Sequence, residues 1–320
     1  MPCNLLVILG PTASGKTRLG VELARRLSGE IISADSRQVY RGMDIGTGKD
    51  LTEYGEIPHH IIDIIEPGCE FNVFAFQRSF LQAFAEINGQ GRLPVMVGGT
   101  GMYLEAVLKG YRLMEVPDDA DLRRELSFLS DEELAGRLKG LNPRLHNTTD
   151  LQERGRLMRA IEIAEYEKCH EPEPFPVTLS PLVFGIRWER PVLRERITER
   201  LRTRLEEGMI GEVERLYRSG VPYETLEFYG LEYRFAARYL KGELNRNDMF
   251  QKLNGAIHDF AKRQETWFRR MERNGTTIHW LEGSGDPLME ALEILASDES
   301  QRQLNADKNL IKQLSPQMVP

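Results

Sequence analysis

The chain contains 320 residues, with 42 Lys and Arg against 49 Asp and Glu, and its net charge is −7. This length predicts about two domains, and 41% hydrophobic with 28% charged residues is typical of a globular protein. The longest apolar runs fall far short of the ~18 residues that span a membrane, no secretion signal is visible, and three scattered cysteines exclude a disulfide framework. A cytoplasmic protein without a membrane partner is expected.

The charge is distributed unevenly along the chain. Residues 186–273 carry 19 Lys and Arg against 15 Asp and Glu, a net charge of +4, whereas the remainder carries −11. A negative mean charge argues against a nucleic-acid partner, because domains that bind nucleic acids are often strongly basic. The modest local excess of positive charge removes this objection to a nucleic-acid partner for the C-terminal half.

The first part of the chain alternates apolar runs with helical patterns. The predicted strands cover Leu5–Leu9, Glu30–Asp35, His60–Ile64 and Pro94–Val97, and the predicted helices cover 16–27, 74–87 and 101–108. The polar, Gly-rich stretch 41–58 between them predicts a long loop, a feature that is often functional in compact domains. The alternation predicts an α/β fold, with helices on both faces of a parallel sheet.

This alternation stops after residue 115. Residues 117–170 predict helices only, with an N-cap at Ser130 and a helix over Leu151–Glu167, and four prolines mark 171–181 as a linker. The later predicted elements are a strand over Leu182–Trp188, helices near 190–207, 210–219, 232–241 and 247–272, a strand over Thr276–Leu281 and a helix to about Ala296. We therefore predict a core of residues 1–115 and 179–297, an all-helical insertion over 116–178, and a disordered tail over 298–320.

A phosphate-binding loop follows the first strand. The run Gly10-Pro11-Thr12-Ala13-Ser14-Gly15-Lys16-Thr17 matches G-x-x-x-x-G-K-[ST] in full, between a predicted strand and a predicted helix. Glycines let backbone N–H groups surround a phosphate, the helix dipole attracts it, Lys16 adds a positive charge, and Thr17 can bind Mg²⁺. The core is thus predicted to resemble that of P-loop NTPases. The strand before Gly98 ends without the acid that an ATPase needs, which favours a kinase or another transferase acting on a pyrophosphate ester.

Two polar residues lie at the carboxyl ends of strands in this predicted sheet. Asp35 ends the second strand and Thr100 follows Gly98-Gly99 after the fourth, at the edge where ligands of open α/β sheets bind. A carboxylate there can accept a proton from a nucleophilic O–H or N–H group. On position alone, Asp35 could equally cap a turn, whereas a lone Thr at the position of Thr100 is more often the N-cap of the next helix and can also serve both roles.

Five motifs occur in one order along the chain: GPTASGKT over 10–17, DSRQVY over 35–40, GMDIGT over 42–47, VGGT over 97–100 and AKRQETW over 261–267. Together they closely resemble the bacterial tRNA dimethylallyltransferase (tRNA isopentenyltransferase) family, from about residue 4 to 282. The resemblance implies transfer of the dimethylallyl group from dimethylallyl diphosphate to N6 of the adenosine 3′ of the anticodon (position 37) of tRNA, with release of diphosphate.

The resemblance also implies roles for individual residues. Gly10–Thr17 would hold the diphosphate, with Lys16 stabilising the leaving charge and Thr17 holding the expected cofactor, Mg²⁺. Asp35 would accept a hydrogen bond, and then a proton, from the adenine amine, and Thr100 would position the base or the leaving group. The base must leave its stack to reach them. The expected tRNA contacts are Asp35, Ser36, Arg37, Gln38, Thr100, Arg123, Lys262 and Arg263, and the enzyme is expected to be a monomer.

The chain departs from the family pattern at two places. Asp50 stands where a Pro is common, and the family's Gly-Tyr-Arg stretch becomes Glu232-Tyr233-Arg234. Arg234 matches and is a candidate diphosphate ligand. Glu232 replaces a glycine, a change that bears on the local backbone and on the role of Arg234.

Basic and apolar residues recur on the C-terminal helices. Arg196, Arg200 and Arg204 repeat every fourth residue, and Lys262 and Arg263 lie on the last long helix. Solvated faces and phosphate contacts are both compatible with this pattern, and the resemblance favours contacts to tRNA. An apolar stripe on the last helix, typical of a core face, comprises Met249, Leu253, Ala256, Phe260, Trp267 and Met271.

Three alternatives remain on the residues alone. A nucleoside or nucleotide kinase would use the same loop with Asp35 as a base for a hydroxyl, although no Arg-rich lid is evident. A prenyltransferase acting on free AMP would need neither the helical insertion nor the basic C-terminal surface. An RNA-binding protein with a degenerate nucleotide site is disfavoured by the intact Lys16-Thr17 pair.

Overall fold

Six parallel strands form the sheet of the computed structural model, which describes residues 3–141 and 154–297. The strands are β1 (Leu5–Leu9), β2 (Gly29–Ala34), β3 (His59–His60), β4 (Leu93–Gly98), β5 (Pro181–Arg187) and β6 (His279–Glu282). They pair in the order β3-β2-β4-β1-β5-β6, and every pairing is parallel. The α/β fold class predicted from the sequence is confirmed.

α-Helices fill the connections between these strands except that from β2 to β3, which contains a single 3-10 turn over Leu51–Glu53. They are α1 (Lys16–Arg26), α2 (Val73–Gly89), α3 (Gly101–Leu108), α4 (Ala120–Ser127), α5 (Asp131–Leu141), α6 (Arg154–Cys169), α7 (Arg190–Glu206), α8 (Met209–Arg218), α9 (Tyr223–Phe228), α10 (Leu231–Leu240) and α11 (Arg246–Arg273), with a last helix over 287–297. Of these, α9 was not predicted. No helix among the described residues is long and apolar enough to cross a lipid bilayer.

The described residues divide into two units. Unit 1 comprises 3–109 and 179–297 and contains the whole sheet, and unit 2 comprises 110–141 and 154–178. The predicted insertion began at residue 116, whereas unit 2 begins at Gly110. The predicted tail over 298–320 and the start of the helix predicted from Leu151 lie outside the described residues.

The core of unit 1 is built around β1, whose five residues are all buried. Leu6 and Ile8 pack in one cluster with α1 residues such as Leu23. Because strand side chains alternate between faces, the equally buried Val7 lies on the opposite face. Both faces of the sheet are therefore covered, as the continuous apolar run predicts.

Unit 2 is a small helical cluster. Its core consists of Leu126, Leu134, Leu138, Leu157 and Ile161 from α4, α5 and α6. Ser130 and Glu133 exchange hydrogen bonds at the start of α5, which confirms the predicted N-cap. The buried carboxylate of Glu162 accepts hydrogen bonds from Arg123 at 2.6 Å and from Arg159 at 3.0 Å, which joins α4 to α6.

The strand predicted over His60–Ile64 is wrong for most of its length. Only His59 and His60 pair with β2, because Ile61 and Asp63 adopt positive φ angles of 64° and 55°. The turn brings the Asp63 carboxylate to the fully buried ammonium of Lys49. A buried charge needs such a partner, and this long-range pairing overrides the local apolar pattern.

Candidate active site

A cavity of about 540 Å³ in unit 1 opens where the carboxyl ends of β1, β2 and β4 meet. The phosphate loop, the residues after β2 and β4, the 46–48 turn and helices α7, α10 and α11 contribute to its wall. Many residues singled out from the sequence line it, among them Thr12, Lys16, Thr17, Asp35, Ser36, Arg37, Gln38, Thr100, Arg234 and Arg263.

The phosphate loop between β1 and α1 is held from outside. Ala13 and Gly15 have positive φ angles of 61° and 90°, which turn the chain into the N-terminus of α1. Arg196 Nε donates to the carbonyl of Ala13, and Trp188 Nε1 donates to the carbonyl of Ser14, both at 3.0 Å. The first-turn N–H groups of α1 have no partner within the helix, so this loop can surround an anion.

Gln264 of α11 fastens the phosphate loop to the turn after β4. Its buried side chain accepts a hydrogen bond from the N–H of Thr12 at 2.8 Å and donates one to the carbonyl of Gly99 at 2.9 Å. A side chain at Gly99 would collide with this amide. Gln264 lies within one of the five motifs, yet its spacing alone shows no role, because both partners are far away in sequence.

Asp35 and Thr100 lie on adjacent strand ends. Thr100 Oγ1 accepts a hydrogen bond from the N–H of Ser36 at 3.1 Å, and Asp35 Oδ1 accepts one from the N–H of Arg37 at 2.9 Å. Asp35 therefore caps a turn and also lines the cavity. Thr100 occupies the N-cap position of α3, but its side chain makes no capping hydrogen bond, so its hydroxyl serves the cavity wall.

The basic repeat on α7 surrounds the phosphate loop. Arg200 and Arg204 line the cavity, and the guanidinium of Arg196 stacks 4.1 Å from the centre of the Trp188 ring. The interpretation of this repeat as a solvated face is wrong for Arg204, which is 7% exposed. Burial, and next the charge of Arg200, lowers the pKa of Lys16 to about 8. The site is short of negative charge, which an anionic ligand would supply.

Aromatic side chains and arginines lie together at the cavity wall. Phe228 is 61% exposed, with the Arg37 guanidinium 5.5 Å from its ring centre, and Phe260 is 39% exposed, with Arg263 at 5.8 Å. The prediction that Phe260 belongs to the core stripe of α11 is wrong. The buried stripe of that helix is Met249, Leu253, Ile257, Ala261, Gln264, Phe268 and Met271, which leaves Phe260 at the edge of the face.

Other predicted contact residues are engaged within the protein. Arg123 lies in unit 2, where its side chain pairs with Glu162 and Asp118 at 2.6 Å. Gln38 is buried and joins Ser33 to the carbonyl of Gly48. Arg234 is exposed, and its Nε donates to the carbonyl of Glu227 at 3.2 Å. Lys262 is exposed on α11 and does not line the cavity.

Mg²⁺ prefers oxygen ligands, and the phosphate loop offers the hydroxyl groups of Ser14 and Thr17. Ser14 Oγ is buried and has no hydrogen-bond partner in the described parts of the chain, and Thr17 lines the cavity. No group of three or more His, Cys, Asp or Glu side chains suited to a metal occurs among the described residues. Mg²⁺ usually keeps waters and phosphate oxygens as ligands, so a few protein oxygens suffice.

The sheet and the loop at the end of β1 place this chain in the class of phosphate-loop α/β proteins. The family model of IPP transferase matches residues 38–271, and that of isopentenyl transferase matches residues 3–56. The chain belongs to the IPP transferase family, whose members include the tRNA dimethylallyltransferases, and it is a prenyltransferase. The family predicted from the five ordered motifs is confirmed.

Curated relatives and solved structures agree with this assignment. The chain is 81% identical over 295 residues to tRNA dimethylallyltransferase 1 of Geotalea uraniireducens, which covers 92% of this chain and 98% of the relative. It is 34% identical to the tRNA isopentenylpyrophosphate transferase of Bacillus halodurans, with a TM-score of 0.69 over 96% of this chain and 99% of that one. A eukaryotic dimethylallyltransferase acting on tRNA, 22% identical, shares the fold with a TM-score of 0.72 over 97% of this chain and 80% of its own.

Proposed function

We propose that this enzyme transfers the dimethylallyl group of dimethylallyl diphosphate to N6 of adenosine 37 in tRNA and releases diphosphate. One observation carries the proposal: a single cavity joins a phosphate loop to the carboxylate of Asp35 and the hydroxyl of Thr100. The names of the relatives support transfer to tRNA and do not support a kinase or an enzyme acting on free AMP.

Lys16 and the loop N–H groups act on the leaving group. The diphosphate gains negative charge as its C–O bond breaks, and fixed donors in a cavity stabilise that charge without reorganising. Arg200 adds a second positive charge on the same wall. Thr17 would hold Mg²⁺, which would supply further neutralisation of the charge on the leaving diphosphate.

Asp35 acts on the nucleophile. The adenine amine forms the new N–C bond, the electron pair of the C–O bond leaves with diphosphate, and the amine proton passes to the Asp35 carboxylate. The other carboxylate oxygen already accepts the N–H of Arg37, which holds the group in place. Thr100, tied to Ser36, positions the base against it.

Arginine and aromatic side chains suit the nucleic-acid end. A base that leaves its stack needs a replacement surface, and Phe228 and Phe260 offer exposed rings beside Arg37 and Arg263. Lys262 would add a phosphate contact, which gives affinity and salt dependence but no base choice. A contact from Arg123 would require this side chain to leave Glu162.

Transfer of label tests the function directly. The protein is incubated with radiolabelled dimethylallyl diphosphate, Mg²⁺ and either unmodified tRNA or AMP, and label is expected in tRNA alone. The variant Asp35→Asn keeps an oxygen for the N–H of Arg37 but loses the base, so turnover should fall by about 10²-fold or more while pyrophosphate still binds. Label in AMP but not in tRNA, or phosphate transfer from ATP, would refute the proposal.

We also propose that the enzyme acts as a monomer in the cytoplasm. The phosphate loop, Asp35 and Thr100 lie around one cavity within a single chain, so the groups proposed for the transfer do not depend on a second copy. Light scattering coupled to size-exclusion chromatography should give a mass near 36.7 kDa. A stable dimer at assay concentration would contradict the monomer.

A further inference from the structure

A carboxylate lies inside the cavity that is proposed to bind an anion. Glu232 is the second residue of α10, its side chain is 19% exposed, and it lines the same wall as Lys16 and Arg204. Burial raises the pKa of its carboxyl group, against the opposing effect of the Arg204 charge. A negatively charged side chain in this place repels an anionic ligand, so the presence of Glu232 needs a functional explanation.

Arg204 is the partner of Glu232, but the two side chains are not closely joined. The distance from Arg204 Nη1 to Glu232 Oε1 is 3.5 Å, whereas charge-assisted hydrogen bonds are about 2.7–2.9 Å long. Arg204 Nε is buried and has no hydrogen-bond partner among the described residues. The guanidinium therefore keeps donors that a better-placed anion could use.

The position of Arg204 connects it to the phosphate loop. Its charge, together with that of Arg200, contributes to lowering the pKa of Lys16, so the three cations belong to one electrostatic cluster. Its guanidinium also lies against Gly48, where a side chain would take its place. A diphosphate bound at Lys16 thus falls within the field of Arg204 and Glu232 alike.

We propose that Glu232 is the resident counter-anion of Arg204 and that the diphosphate displaces it, so that Glu232 weakens the binding of the prenyl donor and of released diphosphate. This inference rests on the proposed function, because it takes diphosphate as the ligand of the cavity. The first turn of α10 can receive the displaced carboxylate, since helix N-termini stabilise negative charge. The benefit is release of a product that Lys16, Arg200 and Arg204 would otherwise hold tightly.

A permanent ion pair that only ties α10 to α7 is the competing explanation. It predicts that loss of the Glu232 charge lowers stability and leaves the affinity for diphosphate unchanged. Displacement by the ligand predicts that loss of the Glu232 charge raises the affinity for diphosphate, because the ligand then no longer competes with a carboxylate for Arg204.

Calorimetric titration with inorganic pyrophosphate and Mg²⁺ separates the two explanations. Glu232→Gln should bind pyrophosphate about tenfold more tightly than the unmodified chain, since one repulsive charge at close range is removed. Glu227→Gln is the matched control, because Glu227 pairs with Lys241 and Arg238 outside the cavity lining, and its affinity should not change. Glu232→Gly serves if the amide variant is unstable, and it should shift the affinity in the same direction.

Each outcome decides one question. Equal or weaker pyrophosphate binding by both Glu232 variants, in protein that prenylates tRNA, overturns the counter-anion role alone. Failure of the unmodified chain to bind pyrophosphate or to prenylate tRNA overturns the proposed function instead. In steady-state assays, tighter binding should also appear as stronger product inhibition by pyrophosphate in Glu232→Gln than in Glu227→Gln.

Discussion

Glu212 of α8 holds the turn that forms one side of the cavity, and its replacement tests how that wall is built. The carboxylate is 3% exposed. One oxygen accepts the N–H groups of Asp44 and Ile45 at 2.9 and 2.8 Å, and the other accepts the N–H of Gly46 at 3.0 Å and the O–H of Tyr233 at 2.6 Å. Four donors from two parts of the chain thus depend on a single side chain.

The expected cost follows from those four donors. An unpaired buried donor costs about 1–3 kcal/mol, and water can reach some of these groups once the side chain is gone. We therefore expect Glu212→Ala to destabilise the protein by about 3–5 kcal/mol. Tyr233→Phe removes one donor and leaves the three N–H groups paired, so its cost should be about 1 kcal/mol.

Urea unfolding measured for both variants provides the test. In thermal melts, at about 2–4 °C per kcal/mol for a unit of this size, Glu212→Ala should lower Tm by about 6–20 °C. Pyrophosphate binding should also weaken, because Gly48 of the same turn lies against Arg204. A cost below about 1 kcal/mol for Glu212→Ala, or an equal cost for Tyr233→Phe, would show that the carboxylate does not hold the turn.

Three further substitutions test other parts of the molecule. The pKa of Lys16 is lowered to about 8, and a bound anion favours the ammonium, so pyrophosphate affinity should fall as pH rises above 8. Lys16→Arg should remove that fall relative to the unmodified chain, and equal pH profiles would contradict the assignment. Phe228→Ala should raise KM for tRNA about 5–30-fold, from about 1–2 kcal/mol of lost stacking, while Phe228→Trp should not. An unchanged KM for tRNA in both Phe228 variants would exclude stacking of a base on this ring. Burial raises the pKa of Glu162, but hydrogen bonds from Arg123 and Arg159 outweigh burial and hold this pKa below its usual value. The stabilisation that the charged carboxylate provides therefore exists above pH ~4.5 and is lost as the pH falls through the lowered pKa. Glu162→Gln should cost about 3 kcal/mol at pH 7 by urea unfolding, and a difference that does not shrink as the pH falls below ~4.5 would contradict this origin.

Residues tied to strand ends could be predicted from the sequence, because parallel strands bring their carboxyl ends to one edge. Lys16, Asp35 and Thr100 are separated by up to 84 positions, yet all line one cavity. The order of the apolar runs and the loop motif are enough to predict this common location. No knowledge of side-chain packing is required for it.

Residues whose position depends on helix packing could not be placed in this way. The spacing of Arg196, Arg200 and Arg204 shows that they share a helix face but not what that face meets. Arg204 is buried against Gly48, and Phe260 is exposed beside Arg263. Both facts follow from the way α7 and α11 pack around the phosphate loop, which no local pattern records.

Asp35 and Lys16 support one another electrostatically, which affects how a base variant must be interpreted. The carboxylate of Asp35 raises the pKa of Lys16, against the lowering effects of burial and Arg200. Removing the carboxylate therefore removes the base and also makes the ammonium easier to deprotonate. The first effect slows transfer at every pH, whereas the second weakens diphosphate binding only where Lys16 titrates. A kcat that falls at pH 7 with unchanged pyrophosphate affinity isolates proton acceptance, because Lys16 is then still charged.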